Sequence, residues 1–426
     1  LLSQIVQMVN DASRSRAPIQ KLADSIAKYF VPIVVIISVI TFFVWAKFGP
    51  EPALVYGFVN AIAVLIIACP CALVISTPVA IYAAIGNASA KGALVKGGKY
   101  IEALASIKAI ALDKTRTITF GNPIVSDVFP LNGTSREELL ACTAGAEIFS
   151  EHPLAQAIVD ASKKEGFEPH KTEGFKSIMG KGATAKCLVC EDETIYVGKL
   201  DFIKEHQPVD KEAEKIVAEL SAQGKTSVVV SFGEGVAGVI GLMDEIKPDS
   251  AAALKEIEAM NIEPIMLTGD HEKAANYVAQ QVGIKKIFGN LLPENKAEKI
   301  KELLQQYKFV AMVGDGINDA PALAQSTIGI AMGAAGSDTA IETANIALMN
   351  DKLSLIPFLI RLSQKTLRRI KFNTIGAIAV KLIFITLAFI GYSNLVFAIA
   401  ADVGVTLIVI LTSLNLMKFE NTIASN

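Results

Sequence analysis

Three apolar stretches of the sequence each end in a short turn that carries carboxylates. They read IKAIALDKT, EPIMLTGD and FVAMVGDG, and they place Asp113, Asp270 and Asp315 at their ends. An aspartate after a strand is more often a helix cap, but three in this order, with Lys296 between the second and the third, favour a catalytic cluster. A carboxylate of this kind can attack a phosphoryl group and form an aspartyl-phosphate.

Phosphoryl transfer to an aspartate depends mainly on charge neutralisation and positioning. We expect Asp113 to be the nucleophile, and we expect Lys296 and Thr268 to contact the oxygens of the transferred group. Asp315 and Asp319, in the sequence GDGIND, supply the carboxylate oxygens that Mg²⁺, a hard cation, prefers. The pattern therefore predicts Mg²⁺-dependent phosphorylation of Asp113.

A membrane-length apolar stretch contains two cysteines around a proline, in the sequence IIACPCALVIS. Pro70 cannot donate a backbone hydrogen bond, so we expect the helix to open there. The opening would let Cys69 and Cys71 turn toward one point, where thiolates favour Cu(I), Zn(II), Cd(II) or Pb(II). Both could instead be small buried apolar residues, but a proline between them deep in a span disfavours that interpretation.

Two charged residues lie in the last apolar segments, Lys381 in AIAVKLIF and Asp402 in AIAADVGVTL. Ionisable residues at such depth are costly and usually functional. Asp402 would add a hard oxygen ligand suited to a divalent ion, and Lys381 could neutralise Asp402 when no ion is bound. Lys381 could instead extend to the membrane interface, but its position in the middle of the span disfavours this.

A second pair of cysteines, Cys187 and Cys190 in CLVC, has a spacing that can chelate a metal. No second pair of ligands accompanies it, and residues i and i+3 of a strand point to opposite faces. We therefore interpret this pair as structural.

The composition indicates a membrane protein with a large polar part. Of 426 residues, 52% are hydrophobic and 19% are charged, and the net charge of −2 gives no reason to expect nucleic-acid binding. Five cysteines are an odd and sparse set for a disulfide framework, which favours a reducing compartment.

Four apolar segments are long enough to be predicted as membrane spans. Lysine and arginine cluster just outside these segments, which places the flanking ends, and with them the soluble part, in the cytoplasm. The predicted spans are 29–48, 53–75, 374–390 and 395–417.

The soluble region alternates apolar strands with helical stretches, and this alternation predicts a doubly wound parallel sheet. The predicted fold is α/β plus membrane helices, with an inserted α+β domain and two flanking pairs of transmembrane helices. The predicted segments are 1–28, a cytoplasmic helix; 29–106, two spans; 107–128 and 239–356, the phosphorylation domain; 129–238, the inserted domain; and 357–426, two spans.

The order DKTxT, TGD and GDGIND resembles the P-type ATPases, whose phosphorylation domain is haloacid-dehalogenase-like. The Cys-Pro-Cys sequence resembles the intramembrane metal site of their heavy-metal, or type IB, branch. This resemblance implies ATP and Mg²⁺ as cofactors. The catalytic residues that it implies are Asp113, Lys114, Thr115, Thr268, Gly269, Asp270 and Lys296. It implies as Mg²⁺ ligands Asp113, Thr115, Asp315 and Asp319.

The inserted domain contains EIFSEHPLAQAI, followed by GKG at 180–182, which resembles the nucleotide-binding signature of the heavy-metal branch. The resemblance implies that Glu147, His152, Gly180 and Gly182 line the pocket for the adenosine of ATP. Without it, His152 would be an ordinary helix start. Lys381 and Asp402 match the zinc, cadmium and lead subgroup, with Cys69, Cys71 and Asp402 as ligands of the transported ion.

Three departures from related patterns bear on activity. Thr115 stands where soluble relatives carry an acid–base aspartate, so we expect a long-lived aspartyl-phosphate. Arg116 replaces the family's glycine; it could pair with phosphate, but at positive φ an arginine is strained, and we expect impairment. The sequence has no Thr-Gly-Glu triplet, so we expect a C-terminal portion without the actuator domain.

The predicted function is ATP-driven export of Zn, Cd or Pb ions by an integral protein of the plasma membrane, acting as a monomer without nucleic acid. Alternatives are a non-catalytic remnant that binds nucleotide or metal, and a Cu(I)-transporting ATPase. A soluble phosphatase of the same fold is disfavoured by the four spans and by Thr115.

Overall fold

The computed structural model describes residues 18–67, 71–178, 180–190, 193–233, 235–315, 319–333, 342–390 and 395–420. The chain groups into two compact units. The first comprises Leu1–Ala109, Lys301–Met312 and Leu323–Asn426, and the second comprises Ile110–Ile300 and Val313–Ala322.

In chain order, the α-helices of the described residues are α1 (Pro18–Phe48), α2 (Ala53–Ile67), α3 (Cys71–Ala90), α4 (Gly98–Leu104), α5 (Arg136–Glu147), α6 (Pro153–Lys164), α7 (Leu200–Lys204), α8 (Lys211–Ala222), α9 (Ser250–Ala259), α10 (Glu272–Val282), α11 (Pro293–Tyr307), α12 (Ala320–Gln325), α13 (Leu355–Phe389) and α14 (Leu395–Leu414). The strands are β1 (Ala93–Val95), β2 (Ala109–Leu112), β3 (Thr119–Pro130), β4 (Thr172–Ile178), β5 (Gly182–Cys187), β6 (Thr194–Gly198), β7 (Thr226–Phe232), β8 (Gly235–Ile246), β9 (Glu263–Leu267), β10 (Lys286–Phe288), β11 (Val310–Gly314), β12 (Ile328–Ala331) and β13 (Ile346–Leu348).

Apolar helices dominate the first unit. Among the described residues, three helical segments are long and apolar enough to cross a membrane: Lys28–Phe48, Leu355–Leu387 and Ile399–Lys418. The first and the last coincide closely with the first and the fourth predicted spans.

The other two predicted spans differ from the structure. The span 53–75 falls on two shorter helices, because α2 ends at Ile67 and α3 begins at Cys71. The span 374–390 is only the last part of α13, which begins at Leu355. Basic residues before 374 do not end this helix, because long basic side chains are good helix formers.

Polar side chains join the apolar helices where they pack. Ser38 on α1 donates a hydrogen bond of 2.8 Å to the carbonyl of Ala61 on α2. Asn373 on α13 donates one of 3.1 Å to the hydroxyl of Ser413 on α14. In an apolar environment a polar side chain has few alternatives to a neighbouring helix, so these bonds fix which helix faces meet. The same unit contains β1, β13 and β12, with β1–β13 antiparallel and β12–β13 parallel.

In the second unit, β2 lies beside β9, and β9 pairs in parallel with β10. The register places Ile265 opposite Lys286 and Leu267 opposite Phe288. Helices α9 and α10 alternate with these strands along the chain, so the predicted parallel α/β sheet is confirmed. Parallel strands bring their carboxyl ends to one edge, which is where the aspartates of the sequence pattern lie.

A separate antiparallel sheet of six strands, in the order β3-β8-β7-β6-β5-β4, belongs to the same unit. Helices α5 and α6 cover one face and α7 and α8 cover the other. Side chains alternate along β7: Val228 and Val230 pack with α5 and α6, whereas Val229 packs with α7 and α8. A strand buried on both faces reads as an unbroken apolar run, which explains the sequence SVVVSF.

Candidate functional site

The carboxylates of the sequence pattern follow strands of the second unit. Asp113 comes directly after β2, and its backbone N–H donates a hydrogen bond of 2.9 Å to the carbonyl of Val313 on β11. Thr268, Gly269 and Asp270 follow β9, and Asp315 follows β11. Local sequence therefore fixes each turn, and the sheet brings the turns together.

Lys296 at the start of α11 joins two of these carboxylates. Its Nζ lies 2.6 Å from Asp113 Oδ1 and 2.7 Å from Asp319 Oδ1, and all three side chains are buried. Buried charges require partners, and one lysine between two aspartates leaves a net negative charge. The arrangement is suited to a cation or to a group that carries one.

Burial dominates the electrostatics of this cluster. It raises the pKa of Asp113 to about 7, with a further rise from Asp319 and an opposing effect of Lys296. Burial also raises the pKa of Asp319, against the effect of Lys296. Burial alone would lower the pKa of Lys296, but the two aspartates more than offset it and raise that pKa overall.

The remaining residues of the predicted catalytic set lie around this cluster. Lys114 Nζ forms an ion pair with Asp270 Oδ2. The N–H of Asp270 donates a hydrogen bond of 3.2 Å to the hydroxyl of the buried Thr268. Thr115 is exposed.

Arg116 has φ of 59° and ψ of 6°, in the left-handed region. The positive φ, at which we expected an arginine to be strained, is therefore present. The side chain is exposed and does not lie among the buried carboxylates; its Cγ lies over Gly121, where an added Cβ would come within 2.4 Å of it. The buried Lys247 donates a hydrogen bond of 3.1 Å to the Arg116 carbonyl.

Asp244 on β8 is a residue of this site that the sequence pattern missed. Its carboxylate accepts hydrogen bonds of 2.5 Å from the Thr119 hydroxyl and 2.8 Å from the Gly121 N–H. These bonds hold the turn that follows Asp113. Burial raises the pKa of Asp244. A single aspartate within an apolar strand carries no sequence signal, because its role depends on the pairing of β3 with β8.

The residues present fit a magnesium ion. Asp319 Oδ2 is buried and has no hydrogen-bond partner among the described residues, which is an oxygen that a cation can use. Asp315 is half-buried at the end of β11, and Asp113 completes the set of carboxylates. Residues 316–318 lie outside the described residues.

A cavity of about 380 Å³ lies between α5, α6 and strands of the antiparallel sheet. Its walls include all four residues expected around the adenosine: Glu147, His152, Gly180 and Gly182. His152 Nδ1 also accepts a hydrogen bond of 3.2 Å from the Leu154 N–H, so this residue caps α6 as well. An added Cβ at Gly182 would lie 2.1 Å from the Val197 carbonyl. Burial raises the pKa of Glu147.

A larger cavity of about 790 Å³ adjoins the cavity around Glu147, and Leu154 and Thr226 line both. Lys114 and Asp270 line it, and so does Lys225. The walls of the two adjoining cavities therefore include Glu147 at one end and Lys114, which follows Asp113, at the other.

The predicted intramembrane site is described only in part. Cys69 lies outside the described residues, and the side chain of Cys71 is not described. Lys381 Nζ lies 2.6 Å from Asp402 Oδ1, and the two side chains are 7% and 16% exposed. The two charges thus meet between α13 and α14.

The premise that no second pair of ligands accompanies Cys187 and Cys190 is wrong. Cys190 lies beyond the end of β5, in the turn to β6, so the rule for opposite strand faces does not apply. Cys142 and His170 approach both residues, and all four ligand atoms lie within 4.8 Å of one another. Burial raises the pKa of Cys142, and it raises that of Cys190 to about 11.

Residues 107–327 match the haloacid dehalogenase-like hydrolase family. This match covers more than half of the chain, and the chain belongs to that family. The relatives of this chain are heavy-metal P-type ATPases. The resemblance to that family, drawn from the sequence, is therefore confirmed.

A probable cadmium-transporting ATPase of Alkalihalophilus pseudofirmus is 44% identical over 98% of this chain and 58% of its own length. A copper-exporting P-type ATPase of Staphylococcus saprophyticus subsp. saprophyticus is 41% identical over 92% of this chain and 48% of its own length. Among solved structures, a zinc-transporting PIB-type ATPase in the E2.Pi state matches with a TM-score of 0.83 at 34% identity, over 97% of this chain and 67% of its own. The chain thus spans about half the length of the curated relatives.

Proposed function

We propose that this chain carries the phosphorylation and nucleotide-binding parts, and part of the ion path, of an ATP-driven exporter of divalent heavy-metal ions. The observation that carries the proposal is the buried contact of Lys296 with both Asp113 and Asp319. The larger cavity is lined by Lys114, which follows Asp113, and it adjoins the smaller cavity around Glu147. A structural role alone would not need two buried carboxylates on one lysine.

In the proposed reaction, a carboxylate oxygen of Asp113 attacks the terminal phosphorus of ATP. The new O–P bond forms as the bond to ADP breaks, and ADP leaves with the electron pair. Lys296 orients Asp113 and offsets negative charge, and Lys114 and Thr268 would contact the oxygens of the transferred group. Because Thr115 is a poor base, the aspartyl-phosphate persists.

Asp113, Asp315 and Asp319 would hold Mg²⁺, with the hydroxyl or backbone of Thr115 beside them. The ion supplies charge neutralisation for the phosphate oxygens. Glu147, His152, Gly180 and Gly182 would hold the adenosine in the smaller cavity.

For the transported ion we propose Zn²⁺, Cd²⁺ or Pb²⁺ bound by Cys69, Cys71 and Asp402. The pair of Lys381 with Asp402 supports a counter-charge that stays when the ion has left. A carboxylate suits a divalent ion better than Cu(I), which prefers sulfur. Copper-exporting relatives at 41% identity keep Cu(I) as the second candidate.

We place the protein in the plasma membrane with its catalytic part in the cytoplasm. We propose that the protein acts as a monomer.

The test is acid-stable labelling of the purified chain with ATP that carries a radioactive terminal phosphate. Asp113→Asn removes the nucleophile, so labelling should be lost. The matched control is Asp201→Asn, an exposed aspartate in the first turn of α7, which should label like the parent. Labelling that persists in Asp113→Asn overturns the assignment, and a parent that binds ATP without any labelling supports the non-catalytic alternative.

A further inference from the structure

Four potential metal ligands converge in the second unit, and none of them belongs to the predicted catalytic, nucleotide-binding or transport residues. They are Cys142, His170, Cys187 and Cys190. The chain has five cysteines, and the two outside this cluster are Cys69 and Cys71. Every cysteine that is not in the membrane motif therefore belongs to this cluster.

The four ligands come from different segments that the backbone ties together. Cys142 lies on α5, and His170 lies in the loop before β4. Cys187 is the last residue of β5, and Cys190 follows in the turn to β6. His170 N–H donates a hydrogen bond of 3.0 Å to the carbonyl of Ala141, which precedes Cys142.

The turn from β5 to β6 is held in the same way. Cys187 N–H donates to the Glu193 carbonyl at 2.8 Å, and Glu193 N–H donates to the Cys190 carbonyl at 2.9 Å. Cys190 N–H also points at Cys187 Sγ, at 3.3 Å, as is common around metal thiolates. These backbone hydrogen bonds position the two sulfurs of the turn.

The distances between the ligand atoms are close to the edges of a tetrahedron around a metal. His170 Nδ1 lies 3.2 Å from Cys142 Sγ, 3.6 Å from Cys187 Sγ and 3.4 Å from Cys190 Sγ. A tetrahedral zinc ion with ordinary bond lengths needs about 3.5 Å between nitrogen and sulfur and about 3.8 Å between two sulfurs. Cys142 Sγ and Cys190 Sγ are 3.3 Å apart, so an outward shift of about half an ångström would admit the ion.

We propose that Cys142, His170, Cys187 and Cys190 form a binding site for one thiophilic divalent ion, Zn²⁺ or Cd²⁺, within the nucleotide-binding domain. Three thiolates and one imidazole make a closed four-coordinate set, which is typical of a structural site. This site is separate from the transport site, because it lies in the polar unit and uses none of the membrane residues.

The position of the site gives the bound ion a consequence for the nucleotide pocket. Cys142 shares α5 with Glu147, which lines the pocket. The β4–β5 hairpin pairs Thr172 with Cys187 at one end and Ile178 with Gly182 at the other, and Gly182 lines the same pocket. The ion therefore ties the helix that carries Glu147 to the hairpin that carries Gly182, and we expect it to stabilise the pocket.

The test uses the full chain in detergent with Cys69→Ser and Cys71→Ser, which removes the transport ligands. Titration with Cd²⁺ should give one ion per chain and a thiolate-to-cadmium charge-transfer band in the ultraviolet. Co²⁺ should give the strong visible bands of tetrahedral sulfur ligation. X-ray absorption of the zinc form should fit three sulfurs and one nitrogen.

Added Cys187→Ala and Cys190→Ala should weaken binding more than about 100-fold, beyond the effect expected for an outer-shell residue. His170→Ala should weaken it and change the Co²⁺ spectrum. The matched control is His206→Ala, an exposed histidine of the same domain that stacks on Tyr196, which should bind like its parent. Melting of the metal-free forms shows whether a variant is folded, and in the parent added Zn²⁺ should raise the melting temperature.

Absence of the charge-transfer band in a chain whose three thiols react with a thiol reagent overturns the proposal. Undiminished binding in folded variants that lack two of the ligands also overturns it. If the thiols are found oxidised and reduction restores no binding, the cluster is a redox pair and not a metal site. Only the expected stabilisation of the nucleotide pocket rests on the proposed function, so a failure of phosphorylation leaves the metal titration decisive.

Discussion

Arg116 adopts a backbone conformation that favours glycine, and this allows a quantitative test. Its φ of 59° and ψ of 6° are left-handed, which costs a residue with a Cβ about 1–2 kcal/mol relative to the right-handed form. Glycine loses more backbone entropy on folding, by about 0.5–1 kcal/mol. We therefore expect Arg116→Gly to raise the free energy of unfolding of the second unit by about 1 kcal/mol.

The assay is thermal unfolding followed together with labelling from ATP. For a unit of about 200 residues, a gain of about 1 kcal/mol shifts the melting temperature by about 2–4 °C. Arg116→Gly should also raise the labelling of Asp113, because the turn that carries both residues then reaches its conformation without strain. The hydrogen bond from Lys247 to the carbonyl of residue 116 does not depend on the side chain and should remain.

The matched control is Lys308→Gly. Lys308 follows α11 and also has a positive φ, of 63°, but it is exposed and belongs to the first unit. Lys308→Gly should raise the free energy of unfolding by a similar amount and leave the labelling of Asp113 unchanged. If Arg116→Gly lowers the melting temperature, or if labelling does not increase, then strain at Arg116 does not limit the reaction and the expectation of impairment is wrong.

Three further predictions concern the other parts of the proposed machinery. Lys296→Met should abolish labelling and lower the free energy of unfolding by about 3–5 kcal/mol, because it leaves two buried carboxylates without their cation. Chemical denaturation measures the free energy of unfolding, and a stable variant that still labels would contradict the proposed role of Lys296. Gly182→Ala should weaken ATP binding measured by calorimetry, since its Cβ would meet a backbone carbonyl at 2.1 Å, whereas Gly235→Ala, with 3.9 Å of clearance, should bind as the parent does. Asp402→Ala should weaken Zn²⁺ or Cd²⁺ binding at the membrane site, and tight Cu(I) binding that is insensitive to this change would favour the copper alternative.

The polar residues of the proposed phosphorylation site could be predicted because their positions are local. Asp113, Asp270 and Asp315 each follow an apolar strand, and parallel strands necessarily bring such ends together. Lys296 could be added from its place in the order of motifs. Its contact with Asp319 could not, since the packing of α11 decides it.

Residues whose role comes from distant pairing escaped the sequence pattern. Asp244 acts on the turn after Asp113 only because β8 lies beside β3. The cluster around Cys190 needs a helix, a loop and a turn that are separated by tens of residues, so spacing within CLVC could not reveal Cys142 or His170. The predicted span 374–390 covers only the last part of α13, because hydropathy marks where a helix is apolar and not where it begins.

The pairing of β3 with β8 also affects how the chain can fold. β2 and β9 lie side by side, although about 150 residues separate them along the chain. The register of β3 with β8 extends from Thr119 opposite Ile246 to Pro130 opposite Gly238, so the first and the last strand of the inserted segment pair with each other. Once this ribbon has formed, the loop left to close between β2 and β9 is about sixfold shorter, which lowers its entropic cost by about 1.6 kcal/mol. The inserted domain can therefore fold first, and its β3–β8 pairing then holds β2 and β9 of the parallel sheet close enough to pair.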